Sequence, residues 1–294
     1  MKTFFKIPVF LIVGLSLAIV GCTHDDRENT STPVDPDLAS YEAADVVNGY
    51  KLFNDLRKAE TGSTDDFVPN DPTVDPAHIN DYNEFYRCKS CHGWDLKGRY
   101  GSYINRGAQT ARPDVAAVNL NVLKYADKRF VFDKIKNLGG PAVDPARTAD
   151  GLNPSLGGNN HADYSVILSD AQIWDLVKFL KEGALDTDQL YQINTTGTYP
   201  TGTQSYSDIG RDGNATSGNT FYTNKCASCH GSDGKAIMFG GTTSVGKFAR
   251  TKPYELQFKV LSGQLGTSMG HTPTTLEEMK NLLKALNDNV AYPN

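Results

Sequence analysis

The sequence lacks several features that would identify common classes of protein. Acidic residues outnumber basic ones by 34 to 29, giving a formal net charge of −5, and the basic residues form no patch. Nucleic-acid-binding surfaces depend on such patches, so nucleic acid is not an expected partner. The one long apolar run, from Phe10 to Val20, is shorter than the ~20 residues that a membrane-spanning helix needs. No segment convincingly predicts a β-strand.

Cysteine is also scarce, and four of the five cysteines belong to two copies of the pattern Cys-x-x-Cys-His. The copies are Cys88, Cys91 and His92, and Cys226, Cys229 and His230. On a helix, positions i, i+3 and i+4 share one face, so both thiols and the imidazole of each copy can meet one flat ligand. The pattern is typical of c-type haem attachment, in which the thiols bond to the haem vinyl groups and the His binds the iron. The sequence therefore predicts two covalently bound haem c groups.

Other uses of paired cysteines fit this pattern less well. A four-thiolate zinc site rarely separates its two pairs by so much chain, and it has no need of the His-Gly after each pair. A thioredoxin-type redox pair would require a βαβ context, which the sequence lacks. Structural disulfides would leave the repeated His unexplained.

The fifth cysteine, Cys22, follows an N-terminal export signal. Lys2 and Lys6 precede the apolar run, as in a secretory signal peptide. The run ends in Ile-Val-Gly-Cys22, which resembles the lipobox of bacterial lipoproteins. That resemblance implies cleavage before Cys22 and acylation of its thiol, and several acyl chains anchor a protein firmly. We expect a lipid-anchored protein of the bacterial cell envelope, at the outer membrane rather than the inner one. An ordinary signal peptide with an incidental cysteine is the alternative.

Composition and helical periodicity divide the rest of the chain. We expect a signal peptide at 1–21, a flexible tether at 22–40, a first domain at 41–186, a linker at 187–213 and a second domain at 214–294. Capping-box spacing, Ser169 to Gln172 and Thr275 to Glu278, predicts the last helix of each domain. Further helices are expected at about 43–56, before each motif, at 128–138 and at 253–261. Domains this small have limited cores of their own, and a buried haem would complete them.

The order of helix, Cys-x-x-Cys-His, loops, ligand loop and terminal helix resembles class I cytochrome c, twice over. The first half matches in its motif and in the run from Gly93 to Gly98, and the second half in its motif and in the run from Gly231 to Lys235. The run Gly-Thr-Ser-Met269 is similar to the family's loop in which a Met sulfur binds the iron opposite the His. The resemblance implies an all-α fold of two cytochrome c-like domains in tandem, each wrapped around a covalent haem.

Methionine is rare, which limits the possible distal iron ligands. In the second domain we expect Met269; His271 in the same loop is its rival, Met238 lies too close to His230 in the chain, and Met279 belongs to a predicted helical core face. The first domain has no Met at all. His161 occupies the position at which relatives have Met, and it is the expected ligand. A surface role for His161, ligation by His78 and a vacant site remain as alternatives.

Two haems that are each bound by two protein ligands would transfer electrons without offering a substrate an open iron position. We therefore expect a dihaem electron carrier that exchanges electrons with other redox proteins and has no catalytic residues. The alternative is a dihaem oxidoreductase, similar to a peroxidase or to a thiosulfate dehydrogenase, with a displaceable ligand at the first haem. A haem-based gas sensor would need a transmitter element, and the sequence has none.

Overall fold

The first half of the protein is built from short helices that surround the first motif. The computed structural model describes residues 35–61, 83–108, 114–140 and 163–294, all within one compact unit, 35–294. The helices of this half are α1 (Pro36–Ala43), α2 (Val46–Asn54), α3 (Leu56–Thr61), α4 (Cys88–His92), α5 (Lys128–Lys136) and α6 (Asp170–Lys178). A single π-helical turn, Phe179–Gly183, extends α6.

Helices α2 and α6 cross so closely that their contact point has room only for glycine. An ideal Cβ on Gly49 would lie 2.2 Å from the carbonyl oxygen of Asp175. The Asp175 carboxylate accepts hydrogen bonds from the backbone N–H of Asp45, at 2.6 Å, and from the side chain of Asn48, at 2.8 Å. Asp45 is in turn the N-cap of α2, so one pair of acidic residues fixes both the start of α2 and its position on α6.

The second half repeats this arrangement with helices α7 (Ala215–Lys225), α8 (Ala227–His230), α9 (Val245–Thr251), α10 (Pro253–Ser262) and α11 (Leu276–Leu286). An ideal Cβ on Gly218 would lie 1.9 Å from the carbonyl oxygen of Asn281, where α7 crosses α11. The Asn281 side chain accepts a hydrogen bond of 2.5 Å from the N–H of Asn214, the N-cap of α7.

A β-hairpin lies between the halves. Strands β1 (Gln192–Thr196) and β2 (Thr203–Ser207) pair antiparallel, with Gln192 opposite Ser207. The hairpin contacts the first half, because Gln204 donates to the Ser102 carbonyl at 3.1 Å and Tyr199 donates to the Arg106 carbonyl at 3.2 Å. The prediction that the chain has no strand was therefore wrong for this stretch, which the sequence indicated as a linker. Burial alternates along β2, with Gln204 and Tyr206 half-buried, but Ile193 and Tyr206 are the only apolar residues of the two strands, so the sequence carries no alternating apolar pattern.

An aromatic cluster joins the two halves. Phe258 on α10 is fully buried, and its ring centroid lies 4.6 Å from that of Trp94 and 5.9 Å from those of Phe53 and Phe179. The N–H of Leu185 also donates to the Gln257 side chain at 3.0 Å. One face of α10 therefore belongs to the core of the first half, although the helix itself lies in the second.

Most of the expected helices are present in the described residues. Both capping boxes form: Ser169 and Gln172 exchange hydrogen bonds with each other's backbone N–H, and so do Thr275 and Glu278. The helix expected at 43–56 is divided, because Asp45 caps a new helix after α1 ends. Helix α1 also includes the last residues of the expected tether, 36–40. No helix in the described part of the chain is long and apolar enough to cross a membrane.

Candidate functional site

Both motifs adopt the geometry that their spacing predicts. Helix α4 begins at Cys88 and ends at His92, and α8 follows directly on Cys226 and ends at His230. Each helix is stopped by a glycine with a positive φ angle, 73° at Gly93 and 76° at Gly231, where a residue with a side chain would be strained. The two motifs are therefore local copies of one another.

The second motif faces a cavity of about 580 Å³. Cys226, Cys229 and His230 line one side of the cavity, and Met269 is on its wall. Apolar side chains form much of the rest: Ile237, Phe239, Phe248 and Val260. The Nδ1 of His230 donates to the carbonyl oxygen of Ile237 at 2.8 Å. This hydrogen bond fixes the tautomer and leaves Nε2 as the nitrogen that can bind a metal.

The loop that carries Met269 is held by its own backbone. The N–H of Gln264 donates to the Met269 carbonyl at 2.9 Å, and the N–H of Met269 donates to the Thr267 hydroxyl at 3.2 Å. Gly263 has φ 72°, and an ideal Cβ on it would lie 2.2 Å from the Met269 carbonyl. Gly263 is thus a residue that the ligand loop requires, and no spacing pattern in the sequence points to it.

The rivals of Met269 occupy other positions. His271 is exposed, donates from Nδ1 to the Leu261 carbonyl and does not line the cavity. Met279 is fully buried in the core face of α11. Met238 does line the cavity, but it directly follows Ile237, whose carbonyl holds His230.

The first motif faces a smaller cavity of about 110 Å³. Cys88, His92 and Tyr164 line it together with apolar residues that include Phe53 and Leu176. Burial raises the pKa of the Tyr164 hydroxyl well above its usual value, and the neighbouring Cys88 and Cys91 act in the same direction. The sequence analysis missed Tyr164, although it lies only three residues after His161. His161 and His78 are outside the described residues, as is Cys22.

The thiols of Cys88, Cys91 and Cys226 show no sign of activation. Burial raises the pKa of Cys88 and of Cys91 to about 12, and that of Cys226 to about 11. A redox-active Cys-x-x-Cys pair has a lowered thiol pKa instead. The four motif cysteines form no disulfide, and the described residues contain no group of three or more His, Cys, Asp or Glu side chains that could hold a metal ion. The two pairs thus do not converge on the four-thiolate zinc site that the sequence left open.

The two motif cavities differ in how well their volume and lining residues fit haem c. The second cavity lies within the range of about 300–1,000 Å³ typical of cofactor sites, and it combines two thiols, an oriented imidazole and a thioether with apolar walls. That donor set fits a covalently attached haem. The first cavity is lined by one motif thiol, Cys88, by the His92 imidazole and by mostly apolar residues, but its volume among the described residues is below that range. The fit of the first site rests on its donor set alone.

The loop after the first motif is organised by a buried carboxylate. Asp95 accepts hydrogen bonds from the N–H of Ser102, at 2.6 Å, from the Ser102 hydroxyl and from the N–H of Lys97, at 3.2 Å. Burial nevertheless raises the pKa of Asp95, because these hydrogen bonds only partly offset the loss of hydration. The residue at the same place after the second motif, Asp233, is exposed and accepts from the N–H of Lys235 at 3.1 Å.

Comparison with known protein families gives a match over part of the chain. Residues 82–184 match the family model described as Cytochrome c, which spans the first motif and helix α6. The chain therefore contains a cytochrome c domain, which implies covalently bound haem c and electron transfer. No curated protein and no solved structure matches the chain.

Proposed function

We propose that this protein, starting from its cytochrome c domain at 82–184, is an exported, lipid-anchored dihaem c-type cytochrome that carries electrons between redox proteins of the cell envelope. One observation outside that domain supports the second haem most strongly. Cys226, Cys229 and His230 at helix α8 and Met269 in the loop after α10 line a single cavity of cofactor size.

Each of these side chains has a role in the proposal. Cys226 and Cys229 provide the two thioether bonds, and His230 binds the iron through Nε2 while Nδ1 stays on the Ile237 carbonyl. Met269 provides the sulfur ligand opposite His230. A haem bound in this way supplies a one-electron carrier whose reduction potential the Met ligand raises.

The first haem has a different environment in the proposal. Cys88, Cys91 and His92 attach and ligate it, and His161 is the proposed distal ligand. We expect bis-His ligation to give it a lower potential than the second haem, so that electrons enter at the first haem and leave from the second.

Haem attachment is tested by mass. The mature protein, denatured in acid, should exceed its polypeptide mass by two haems, because thioether bonds survive unfolding. Replacing Cys88 and Cys91 by Ala should remove one haem, and replacing Cys226 and Cys229 should remove the other. A purified protein with bound zinc, or without added mass, would contradict the cytochrome proposal.

The two distal ligands are tested by spectroscopy. The oxidised protein should show the weak near-infrared band of sulfur–iron ligation for one haem only. Met269→Ala should abolish this band and lower one reduction potential, whereas Met238→Ala, on the same cavity wall, should leave the band in place. His161→Ala should keep the band and open the first haem to carbon monoxide. If His161→Ala changes neither spectrum nor ligand binding, another group is the first distal ligand.

The anchor is tested by fractionation. Cys22→Ser should either block processing at the lipobox or release the protein to the soluble fraction, since the polar residues after it have no membrane affinity. A variant that is cleaved correctly and still sediments with membranes would place the anchor elsewhere in the chain.

A dihaem oxidoreductase is the second candidate, and the first cavity favours it in one respect. Tyr164 lines this cavity together with His92, and a hydroxyl there can assist chemistry at an open iron position. Rapid binding of carbon monoxide to one haem of the reduced wild-type protein would support this candidate over the pure electron carrier.

A further inference from the structure

A polar cavity of about 230 Å³ lies at the junction of the two halves, beside the first motif. Four cationic side chains line it, Arg87, Lys89, Arg106 and Lys252, against two carboxylates, Glu84 and Glu255. The first three cations come from the first half, and Lys252 directly precedes α10. The cavity is therefore assembled from both halves and has an excess of positive charge.

The two carboxylates do not neutralise this excess. Glu84 is shared, because Arg87 binds it at 3.1 Å and Arg106 binds its other oxygen. Glu255 pairs with Lys259, at 3.2 Å, which is not one of the four cations. Lys89 donates to the neutral amide of Asn54 and lies 4.0 Å from the centre of the Trp94 ring. Lys89 and Lys252 thus remain without a carboxylate partner among the described ion pairs. Burial and the neighbouring Arg87 and Lys259 lower the pKa of Lys89 to about 7, so an anion in the cavity would favour its charged form.

Arg106 lines the junction cavity, and its guanidinium is held in place by two neighbours. Its guanidinium is held by Glu84 and stacks 4.7 Å from the centre of the Tyr103 ring. Its Nε is buried and makes no hydrogen bond to the described residues.

We propose that the junction cavity binds an anion of the carboxylate or small-oxyanion class, held by Arg106, Lys89 and Lys252. The space corresponds to several water molecules at about 30 Å³ each, enough for a carboxylate or a sulfate-sized ion. Cationic side chains form charge-assisted hydrogen bonds to such groups.

The carboxylate has two possible sources. Glu255 lies in the wall of both the junction cavity and the second motif's cavity, so the two spaces are neighbours. A propionate of a haem in the second cavity could therefore occupy the site, and this source rests on the proposed second haem. A free anion from solution is the other source, and it does not depend on that haem.

The test uses the intact, haem-loaded protein and two matched lysine variants. Lys252→Gln removes a cation from the cavity, whereas Lys247→Gln removes an exposed cation from the neighbouring helix α9, outside the cavity. Sodium sulfate is titrated into each protein by calorimetry at low ionic strength. The potentials of both haems are then measured against pH by spectroelectrochemistry.

A free anion predicts saturable sulfate binding that Lys252→Gln weakens about tenfold and Lys247→Gln does not. If a propionate occupies the cavity, we expect no sulfate binding. The reduction potential of the second haem is then lower in Lys252→Gln than in the wild type, and unchanged in Lys247→Gln. The loss of a nearby positive charge favours ferric iron, and it also moves the pH dependence of that potential upward because the carboxyl becomes harder to ionise.

Sulfate binding that is absent, together with potentials that are the same in Lys252→Gln and Lys247→Gln, would overturn the proposal. The haem mass, measured first, separates this result from a failure of the proposed function. If the protein carries a single haem, the sulfate titration alone decides whether the junction cavity binds an anion. Arg106→Gln provides a second variant, and under the proposal it reduces sulfate affinity or haem potential in the same direction as Lys252→Gln.

Discussion

In both halves of the protein, a helix upstream of the motif, α2 in the first half and α7 in the second, crosses the last helix at a glycine. Gly49 and Gly218 each lie four residues after the N-cap of their helix, and the N–H of each N-cap donates to a side chain on the opposite helix. Asp175 and Asn281, the two acceptors, each lie six residues after the capping Ser or Thr. The halves therefore share one helical frame, which supports the proposed tandem arrangement.

The surroundings of the motifs differ within this frame. From N-cap to first motif cysteine the first half runs from Asp45 to Cys88, whereas the second runs only from Asn214 to Cys226. The hairpin and α10 both pack on the first half, and Asp95 is buried there while Asp233 is exposed. The same motif can thus sit in an enclosed or an open environment, depending on what later segments cover.

The largest expected effect comes from the shared frame. Gly49→Ala and Gly218→Ala should each lower the free energy of unfolding by about 3 kcal/mol, because the new methyl group would overlap a carbonyl oxygen of the opposite helix. Ser217→Ala, exposed beside Gly218, should change it by less than about 0.5 kcal/mol. Urea unfolding measures all three. A large cost at Gly49 without one at Gly218 would show that the halves do not share the frame.

The second-largest effect on stability should differ between the two halves. Asp95→Ala should lower the free energy of unfolding by about 2 kcal/mol, because two buried backbone N–H groups and a hydroxyl lose their acceptor. Asp233→Ala, at the equivalent place after the second motif, should cost less than about 1 kcal/mol, since water can replace the exposed carboxylate. Equal losses in urea unfolding would contradict the difference in burial that we describe between the two loops.

Loss of a capping box should lower the free energy of unfolding by a similar amount in the two halves. Ser169→Ala and Thr275→Ala each remove an acceptor for an N–H in the first turn of the last helix, at a cost of about 1 kcal/mol. Thermal unfolding followed by far-ultraviolet circular dichroism measures both variants, and Thr274→Ala, next to one cap, is a control. If the stability losses of Ser169→Ala and Thr275→Ala differ by more than about twofold, contacts other than the capping box fix the N-terminus of one of the two helices.

The smallest effect at neutral pH concerns Glu84. Burial acts to raise the pKa of this carboxyl, but Arg106, the Ser90 hydroxyl and Arg87 outweigh it, so the net pKa lies below the usual 4.5. Its contribution, under about 1 kcal/mol, is therefore fully present above pH 4.5 and is lost as the pH falls through the lowered pKa. Glu84→Gln should flatten the fall in stability on acidification, measured by urea unfolding at several pH values. Glu277→Gln, an exposed second-half variant, should leave the profile unchanged.

The sequence by itself determined the features that depend on neighbours within a few residues. The turn that brings Cys226, Cys229 and His230 to one helix face follows from their spacing, and both capping boxes form as predicted. The repeated frame was also present in the sequence, as an N-cap residue four positions before Gly49 and before Gly218, although the analysis did not recognise it.

The tertiary structure decided what covers each motif. Phe258 packs beside Trp94, and Lys252 faces Arg106, because α10 turns one face to the other half; no local pattern encodes a contact across such a distance in the chain. The hairpin also escaped prediction, since its strands contain only two apolar residues, Ile193 and Tyr206, and are stabilised largely by pairing and by contacts to the first half. Local spacing thus determines which side chains can hold a haem, and long-range packing decides how enclosed that site becomes.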